Sequence, residues 1–484
     1  MCRKIVLVRG TFDILHPGHI RLLKFAKECG DKLVVAINSD KMLASHNLVD
    51  ECHRQEVLKS LECVDEVFIT QESNDRLINR IKPWAVVKGK EFENQFNEEE
   101  ALLKKIGGKI IFGSGEFDSL STDLIRSTYN TAGNLNYSEL KEYIHRRHIE
   151  KKQIDAYFDE INNLSVAVIG ELIVDEYVQG NAIGLSQEDP TIVMTPSKKE
   201  TFIGGAAITA GHIKSLGASS VSLFTVLGKD QTALYAKNNI SDYGIQSFFF
   251  IDESRPTPLK TRYRADKKTL LRVNEVRQHK ISIELQDTIF KAIENKLVDL
   301  DLLVFSDFNY GLLPQRLVER LCKLCENNGV SIIADSQTSS QVGDISRYHS
   351  VLLMTPTEKE VRVALNNPDD GLVILAKKLC EKSRPKNLVI TLGSEGSFIY
   401  KPSEQMKNWD NDRLPAINKN AVDPAGAGDC YLATCGLLLL SGANIWEACY
   451  VASIASACQV DRLGNTPLSA KILTTALEES FNLS

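Results

Sequence analysis

Short apolar runs alternate with amphipathic stretches along this chain, and the alternation stops and restarts once. Lys4–Val8, Lys32–Ile37, Glu66–Ile69, Trp84–Val87 and Lys109–Phe112 have the length and composition of strands, and amphipathic stretches such as Ile20–Cys29 separate them. This βαβ rhythm calls for a parallel sheet covered by helices. It ends near Tyr129. From about Asn136 to Asn163 the chain is polar and free of proline and glycine, with Leu140, Tyr143, Ile144, Ile149 and Ile154 at loose helical spacing. That spacing predicts a helical linker. The rhythm resumes at Ser165–Ile169 and runs through Val221–Val226, Phe248–Ile251, Leu302–Ser306, Ser331–Ala334, Val351–Met354 and Leu388–Thr391. Thr191–Phe202 and Leu259–Val273 alternate differently and read as extra strands outside the main sheet. The expectation is α/β: two doubly wound domains, 1–135 and 164–484, joined by 136–163. The 484 residues suffice for both, at roughly 100–200 residues per domain.

A net charge of -6 offers no basic field, so neither nucleic acid nor an anionic membrane is expected as a partner. The N-terminal apolar run is interrupted at Arg9, too soon for a signal peptide. The longest apolar stretch, Tyr431–Ala443, falls short of the roughly 20 residues needed to span a bilayer. The 11 scattered cysteines, an odd number, suit reduced thiols and a cytoplasmic location. Cys322 and Cys325 form a CxxC without a second pair, which favours plain thiols over zinc.

In the first half the strand ending at Gly10 runs into Thr11-Phe12-Asp13-Ile14-Leu15-His16-Pro17-Gly18-His19 and then a helix beginning near His19. Gly10 and Gly18 let backbone approach a ligand, and the helix start offers free N–H groups for phosphate. His16 and His19 can donate to phosphate oxygens and stabilise charge on an α-phosphate during nucleotidyl transfer. Ser121 is a good N-cap, and Thr122 beside it can donate to phosphate. Residues 4–130 resemble the cytidylyltransferase-like nucleotidyltransferases, whose HxGH sequence appears here. The resemblance implies a Rossmann-like fold. It also implies nucleotide or phosphate contacts at Gly10, Thr11, Phe12, Asn38, Asp40, Arg54, Lys88, Ser121 and Thr122. Lysines usual after the second strand are reduced here to Lys41, and Asp123 replaces a threonine in the Ser121-Thr122 motif.

In the second half Asp423-Pro424-Ala425-Gly426-Ala427-Gly428-Asp429 stands directly before the apolar stretch 430–441. Glycines at a helix start let successive N–H groups converge on an anion. Asp429 then sits where a carboxylate can take the proton of a hydroxyl attacking a γ-phosphate. This string resembles the ribokinase (PfkB) family of carbohydrate kinases, over about 164–475. The resemblance implies sugar contacts at Asp175, Gly204, Gly205 and Asp307. It places nucleotide contacts at Thr391, Gly393, Gly396, Gly426, Ala427 and Gly428, and a Mg²⁺ region at Glu360 acting through water. The extra strands correspond to the family's lid or dimer clasp, and uncovered edges there predict a homodimer through the kinase half. Ile208 stands where the family has asparagine, Thr357 where it has another, and Glu171 where an aspartate is common.

Together the halves resemble bifunctional heptose 7-phosphate kinase/heptose 1-phosphate adenylyltransferases, with the order of halves reversed. The resemblance implies phosphorylation of an anomeric hydroxyl by ATP. It also implies transfer of a nucleotidyl group, from ATP or CTP, to a sugar 1-phosphate with release of pyrophosphate. Alternatives are a glycerol-phosphate-type cytidylyltransferase fused to another carbohydrate kinase, or one half serving as a nucleotide-binding regulator.

Overall fold

The computed structural model describes residues 4–12, 15, 17–42, 49–89, 97, 99–113, 135, 137, 140–186, 188–189, 191–265, 268–338, 343–402, 409–418 and 421–483. It divides into two compact units, Met1–Gly133 and Asn134–Ser484.

The first unit is a sheet of five strands, β1 (Ile5–Gly10), β2 (Lys32–Asn38), β3 (Glu66–Thr70), β4 (Ala85–Gly89) and β5 (Lys109–Gly113). Their order is β3-β2-β1-β4-β5, and every pairing is parallel. Both faces are buried, as a parallel sheet requires. Val6, Val8, Leu33, Val35 and Ile37 pack with Leu23, Ala26 and Leu58 on one side. Leu7, Val34, Ala36 and Val86 pack with Leu77, Ile78 and Leu103 on the other. The order reverses between β1 and β4, which opens a crevice beyond their carboxyl ends, at Gly10 and Gly89. The helix after β1 spans Pro17–Glu28, two residues earlier than the sequence suggested.

The second unit holds two sheets. Its strands are β6 (Ser165–Gly170), β7 (Leu172–Leu185), β8 (Ile192–Gly205), β9 (Ser220–Leu227), β10 (Gln246–Ile251), β11 (Leu259–Ala265), β12 (Lys268–Glu275), β13 (Leu302–Asp307), β14 (Ser331–Ser336), β15 (Leu353–Met354), β16 (Leu388–Thr391), β17 (Ser397–Pro402) and β18 (Trp409–Leu414). The main sheet runs β10-β9-β6-β13-β14-β15-β16-β17-β18, and the smaller one β12-β11-β7-β8. The extra strands read from sequence are thus β8, β11 and β12. Their partner β7 was unforeseen: the strand beginning at Ser165 ends at Gly170, and Leu172–Asp175 opens another. A Cβ on Gly170 would lie 1.8 Å from the Ser306 carbonyl oxygen. The chain turns there, and after the single residue Glu171 it leaves the main sheet for the smaller one.

Helix Ala427–Leu440 is buried from Asp429 through Leu438, which explains its apolar composition on every side. Gly436 lets it settle onto β14, where a Cβ would meet Ile333 Cδ1 at 2.3 Å. The segment 136–163 contributes helices Leu140–Arg147 and Lys151–Ile161, and both pack into this unit's core through Leu140, Tyr143, Ile154 and Ile161. The Tyr143 hydroxyl donates to the Trp446 carbonyl at 3.1 Å. The Arg147 guanidinium stacks 3.6 Å from the Trp446 ring and pairs with Asp410 at 2.8 Å and Asp412 at 2.6 Å. Cys322 and Cys325 lie on helix Gln315–Asn328, and burial pushes their thiols up to about 11 and about 12. Among the described residues no helix is long and apolar enough to cross a membrane.

Candidate functional site

The first unit places the turn after β1 at the β1/β4 crevice. Phe12 follows Thr11 with φ 52°, a left-handed conformation that is costly for an aromatic residue. Its buried ring meets the His19 ring edge-on, with centroids 5.1 Å apart. Gly10 is packed under it: a Cβ there would meet the Phe12 ring at 3.0 Å. His16, Ser121 and Thr122 lie outside the described residues.

Arg54 is enclosed, with a side chain 0% exposed. Its guanidinium donates to the carbonyls of Thr11 and Asn38, to the Asp40 carboxylate, and through Nε to the Val49 carbonyl at 3.0 Å. The resemblance turned this residue toward phosphates. In the structure it ties together the ends of β1 and β2, because the carbonyls there would otherwise be buried unpaired. Lys88 at the end of β4 donates to Asn97 at 2.8 Å and pairs with Glu99 at 2.9 Å. Glu99 also accepts from Asn74 at 2.7 Å. Arg9 completes the chain by donating to Asn38 Oδ1 at 2.8 Å, to Asn74 Oδ1 and to the Glu72 carbonyl at 2.9 Å. Sequence reasoning missed Arg9, Asn74 and Glu99. Arg9 did leave a signal, as a charge closing an otherwise apolar strand.

In the second unit the candidate residues converge at the carboxyl ends of β6, β13 and β14 and beneath the smaller sheet. Gly426 opens the Ala427–Leu440 helix with φ 77°, which favours glycine. Nothing would crowd a Cβ on Gly428 within 4 Å, so the backbone of the first turn stands open to a ligand. Asp429 in that turn is buried and accepts from the Thr209 hydroxyl at 2.9 Å. Burial pushes its carboxyl up to about 6, against the hydrogen bond from Thr209 and the charge of Lys260. Asp423, at the other end of the string, is a brace. It accepts from the Tyr177 hydroxyl at 2.8 Å and from the N–H groups of Gly464 and Ala425, both at 3.1 Å.

Asp175 on β7 pairs with Arg262 and accepts from Asn465 at 2.8 Å. Gly204 on β8 must be glycine beside it, since a Cβ would lie 2.3 Å from Asp175 Oδ2. At Gly205, φ 64°, a Cβ would meet the Glu171 carbonyl at 2.2 Å. Asp307 is 1% exposed and fully engaged within the protein. It pairs with Arg347 and accepts from the Tyr348 hydroxyl at 2.9 Å, the Ser336 hydroxyl at 3.2 Å and the Asn309 N–H at 2.9 Å. Glu171 accepts from the N–H groups of Phe308, Tyr310 and Leu312 at 2.9, 3.0 and 3.2 Å, which shapes the loop after β13. Burial and nearby Asp307 push its carboxyl up, against the donors on Phe308 and Leu312.

Glu360 caps its helix: its two oxygens accept from the N–H groups of Thr338 at 2.8 Å and Thr357 at 2.7 Å. Asp335 stands nearby, and burial together with Glu360, Asp429 and Asp307 pushes its carboxyl well up. Among the described residues no three carboxylates, thiols or imidazoles are close enough to ligate one ion directly. Thr391 and Gly393 border an open cleft of about 660 Å³ whose far wall is helix Glu358–Leu365, through Arg362, and the Asn366 that caps it; neither Asp429 nor Asp175 lines it. Gly396, at φ 93°, closes the β16–β17 turn, where a Cβ would sit 2.0 Å from the Leu414 carbonyl oxygen. Thr209, Tyr177, Lys260, Arg262 and Asn465 were not read from sequence. They come from elements distant in the chain and carry no local pattern.

The comparisons fit this geometry. Residues 7–128 match the cytidylyltransferase-like family. A curated relative named Bifunctional protein HldE, from Geotalea uraniireducens, is 26% identical over 325 residues, 66% of this chain and 64% of that protein. One of the same name from Helicobacter pylori is 29% identical over 319 residues, 65% of this chain and 66% of that protein. The matched region thus spans less than two thirds of these relatives' own length. Phosphofructokinase-2 from Escherichia coli, solved with potassium, superposes with a TM-score of 0.54 at 15% identity, covering 66% of this chain and 99% of that one. Ribokinase from Thermotoga maritima gives 0.50 at 19%, covering 65% and 99%. These two likenesses establish the ribokinase-like fold of the second unit. Residues 163–471, well over half the sequence, match the pfkB family of carbohydrate kinases, and the chain belongs to that family.

Proposed function

We propose that the chain is a bifunctional sugar-activating enzyme. Its second unit phosphorylates the anomeric hydroxyl of heptose 7-phosphate with ATP. Its first unit joins a nucleotidyl group to heptose 1-phosphate with release of pyrophosphate, giving a nucleotide sugar such as ADP-heptose. The observation that carries the kinase reading is Asp429: a buried carboxylate in the first turn of a helix with an open glycine start, within electrostatic reach of Asp175 on the smaller sheet. Such a carboxylate takes the hydroxyl proton as the oxygen attacks, while the helix start holds phosphate. Thr209 keeps it oriented. The name of the relatives supports two activities in one chain.

Mg²⁺ fits the acidic cluster. Hard carboxylate oxygens from Asp335 and Glu360 are available, and the two backbone donors on Glu360 favour contact through water. When bound with the nucleotide, the ion would neutralise phosphate charge. In the first unit, His16 and His19 serve as donors to the α-phosphate, with Gly10, Thr11 and Phe12 forming the turn that holds it. A cytoplasmic location suits these substrates. A homodimer through the smaller sheet is supported by Ile183, Leu185, Ile192 and Leu271, all more than half exposed there; sedimentation of the full chain as a monomer at micromolar concentration would exclude it.

The functional test is direct. The full chain is given heptose 7-phosphate with ATP, and separately heptose 1-phosphate with ATP or CTP. ADP formation in the first assay and pyrophosphate release in the second are the expected results, and the preferred triphosphate names the nucleotide. Absence of both, across a panel of phosphorylated sugars, refutes the reading.

A further inference from the structure

Lys260 is 6% exposed and lies on β11 in register with Asp175 on β7. Residues two apart on a strand share a face, so Lys260 and Arg262 look the same way, and Arg262 reaches Asp175 from there. The Lys260 ammonium stands 5.0 Å from the Phe308 ring centroid and 5.5 Å from that of Tyr310. Those rings belong to the loop that Glu171 fixes through three backbone N–H groups. Among the described residues no carboxylate pairs with this ammonium. A charge so enclosed, in contact with two aromatic faces and with no carboxylate paired to it, is a strong receptor for an anion. It also lies near enough to Asp429 to favour that residue's ionised form.

We propose that Lys260 is a catalytic residue of phosphoryl transfer, its ammonium donating to an oxygen of the phosphoryl group as that group passes from nucleotide to sugar. This rests on the kinase reading above. In the step, the acceptor hydroxyl oxygen forms a bond to the γ-phosphorus of ATP. The bond from that phosphorus to the β,γ-bridging oxygen breaks, its electron pair leaves with ADP, and the hydroxyl proton goes to Asp429. Lys260 keeps its proton throughout. The turn Gly426–Gly428 holds the phosphoryl group from the helix side, and Lys260 holds it from the smaller sheet, so the group crosses between two fixed positive poles.

Lys260→Met keeps the stem and removes the charge. With the full chain, ATP and heptose 7-phosphate, its kcat is expected to fall by about 10²-fold or more, with KM for both substrates within about threefold. Lys260→Ala tests the same point independently of packing: added methylamine is expected to restore at least about tenfold of the lost rate, because it returns an ammonium to the slot. Wild-type-like kcat in Lys260→Met overturns the proposal. So does a loss confined to the KM of the sugar phosphate, which would assign Lys260 to the sugar's own phosphate. Failure of methylamine to raise the Lys260→Ala rate overturns it as well. A wild-type chain that phosphorylates no sugar phosphate overturns the kinase reading itself, and the inference with it.

Discussion

Replacing Asp429 with asparagine separates what this carboxylate does for catalysis from what it costs the fold. The side chain is buried, and its carboxyl is raised from 3.8 to about 6. A group raised on folding adds stability below its unfolded pKa, and that stability is lost as the pH rises through the folded value. At pH 8 the protein therefore holds a buried charge that costs about 3 kcal/mol, from roughly two pKa units at about 1.4 kcal/mol each. The amide has nearly the same shape and can still accept from Thr209, so Asp429→Asn is expected to be more stable than wild type at pH 8 by about that amount. By linkage the gain shrinks to roughly half that at pH 5 and vanishes below about pH 4. Urea unfolding in a Trp84→Phe background reads this out, because the remaining tryptophans, Trp409 and Trp446, belong to the second unit. In the same protein kinase kcat is expected to fall by about 10²-fold or more. A stability gap that does not change between pH 8 and pH 5, or a mutant less stable than wild type at pH 8, would refute the reasoning.

Thr209→Val removes the donor that lowers the Asp429 carboxyl; the acid limb of the kcat profile, which falls below about pH 6 in wild type, should move to higher pH. Tyr143→Ala empties a fully buried aromatic site and removes the hydroxyl's bond to the Trp446 carbonyl; about 3–5 kcal/mol of second-unit stability should be lost in urea unfolding. A chain beginning at residue 164 lacks both helices of 140–161 and should be insoluble or molten where one beginning at 134 folds, as near-ultraviolet circular dichroism will show. His19→Ala should slow nucleotidyl transfer by about 10²–10³-fold while kinase turnover stays within about twofold, assayed on purified heptose 1-phosphate and heptose 7-phosphate in turn.

Much of this architecture was legible because its signals are local. The parallel strands announced themselves as apolar runs, and the glycine turns as fixed strings before helices. Asp429 could be singled out because Gly426 and Gly428 stand beside it. Arg54 shows the limit: it was singled out by the resemblance, but whether its guanidinium meets phosphate or the carbonyls of Thr11 and Asn38 depends on the ends of two strands distant from it in sequence. The segment 136–163 looked like a linker because its polar face dominates its composition, while the few residues that bury, Leu140, Tyr143, Ile154 and Ile161, decide where it packs. Lys260 and Thr209 had no motif. Their importance comes from β11 lying against β7 and helix Ala206–Ser215 lying against helix Ala427–Leu440, pairings made across tens to hundreds of residues.

The single residue between β6 and β7 has a mechanical consequence. Asp175, Lys260 and Arg262 are bound to one another through the ladder of the smaller sheet, whereas Asp429 and the glycine turn belong to the body beneath. Glu171 is the shortest connection between the two apart from the direct passage of β8 into helix Ala206–Ser215, and its side chain is anchored to the loop carrying Phe308 and Tyr310. A shift of the smaller sheet would move Asp175, Lys260 and Arg262 as one plate relative to Asp429. In the proposed kinase, grip on the sugar and the distance from hydroxyl to base would then change together, as two readings of one displacement.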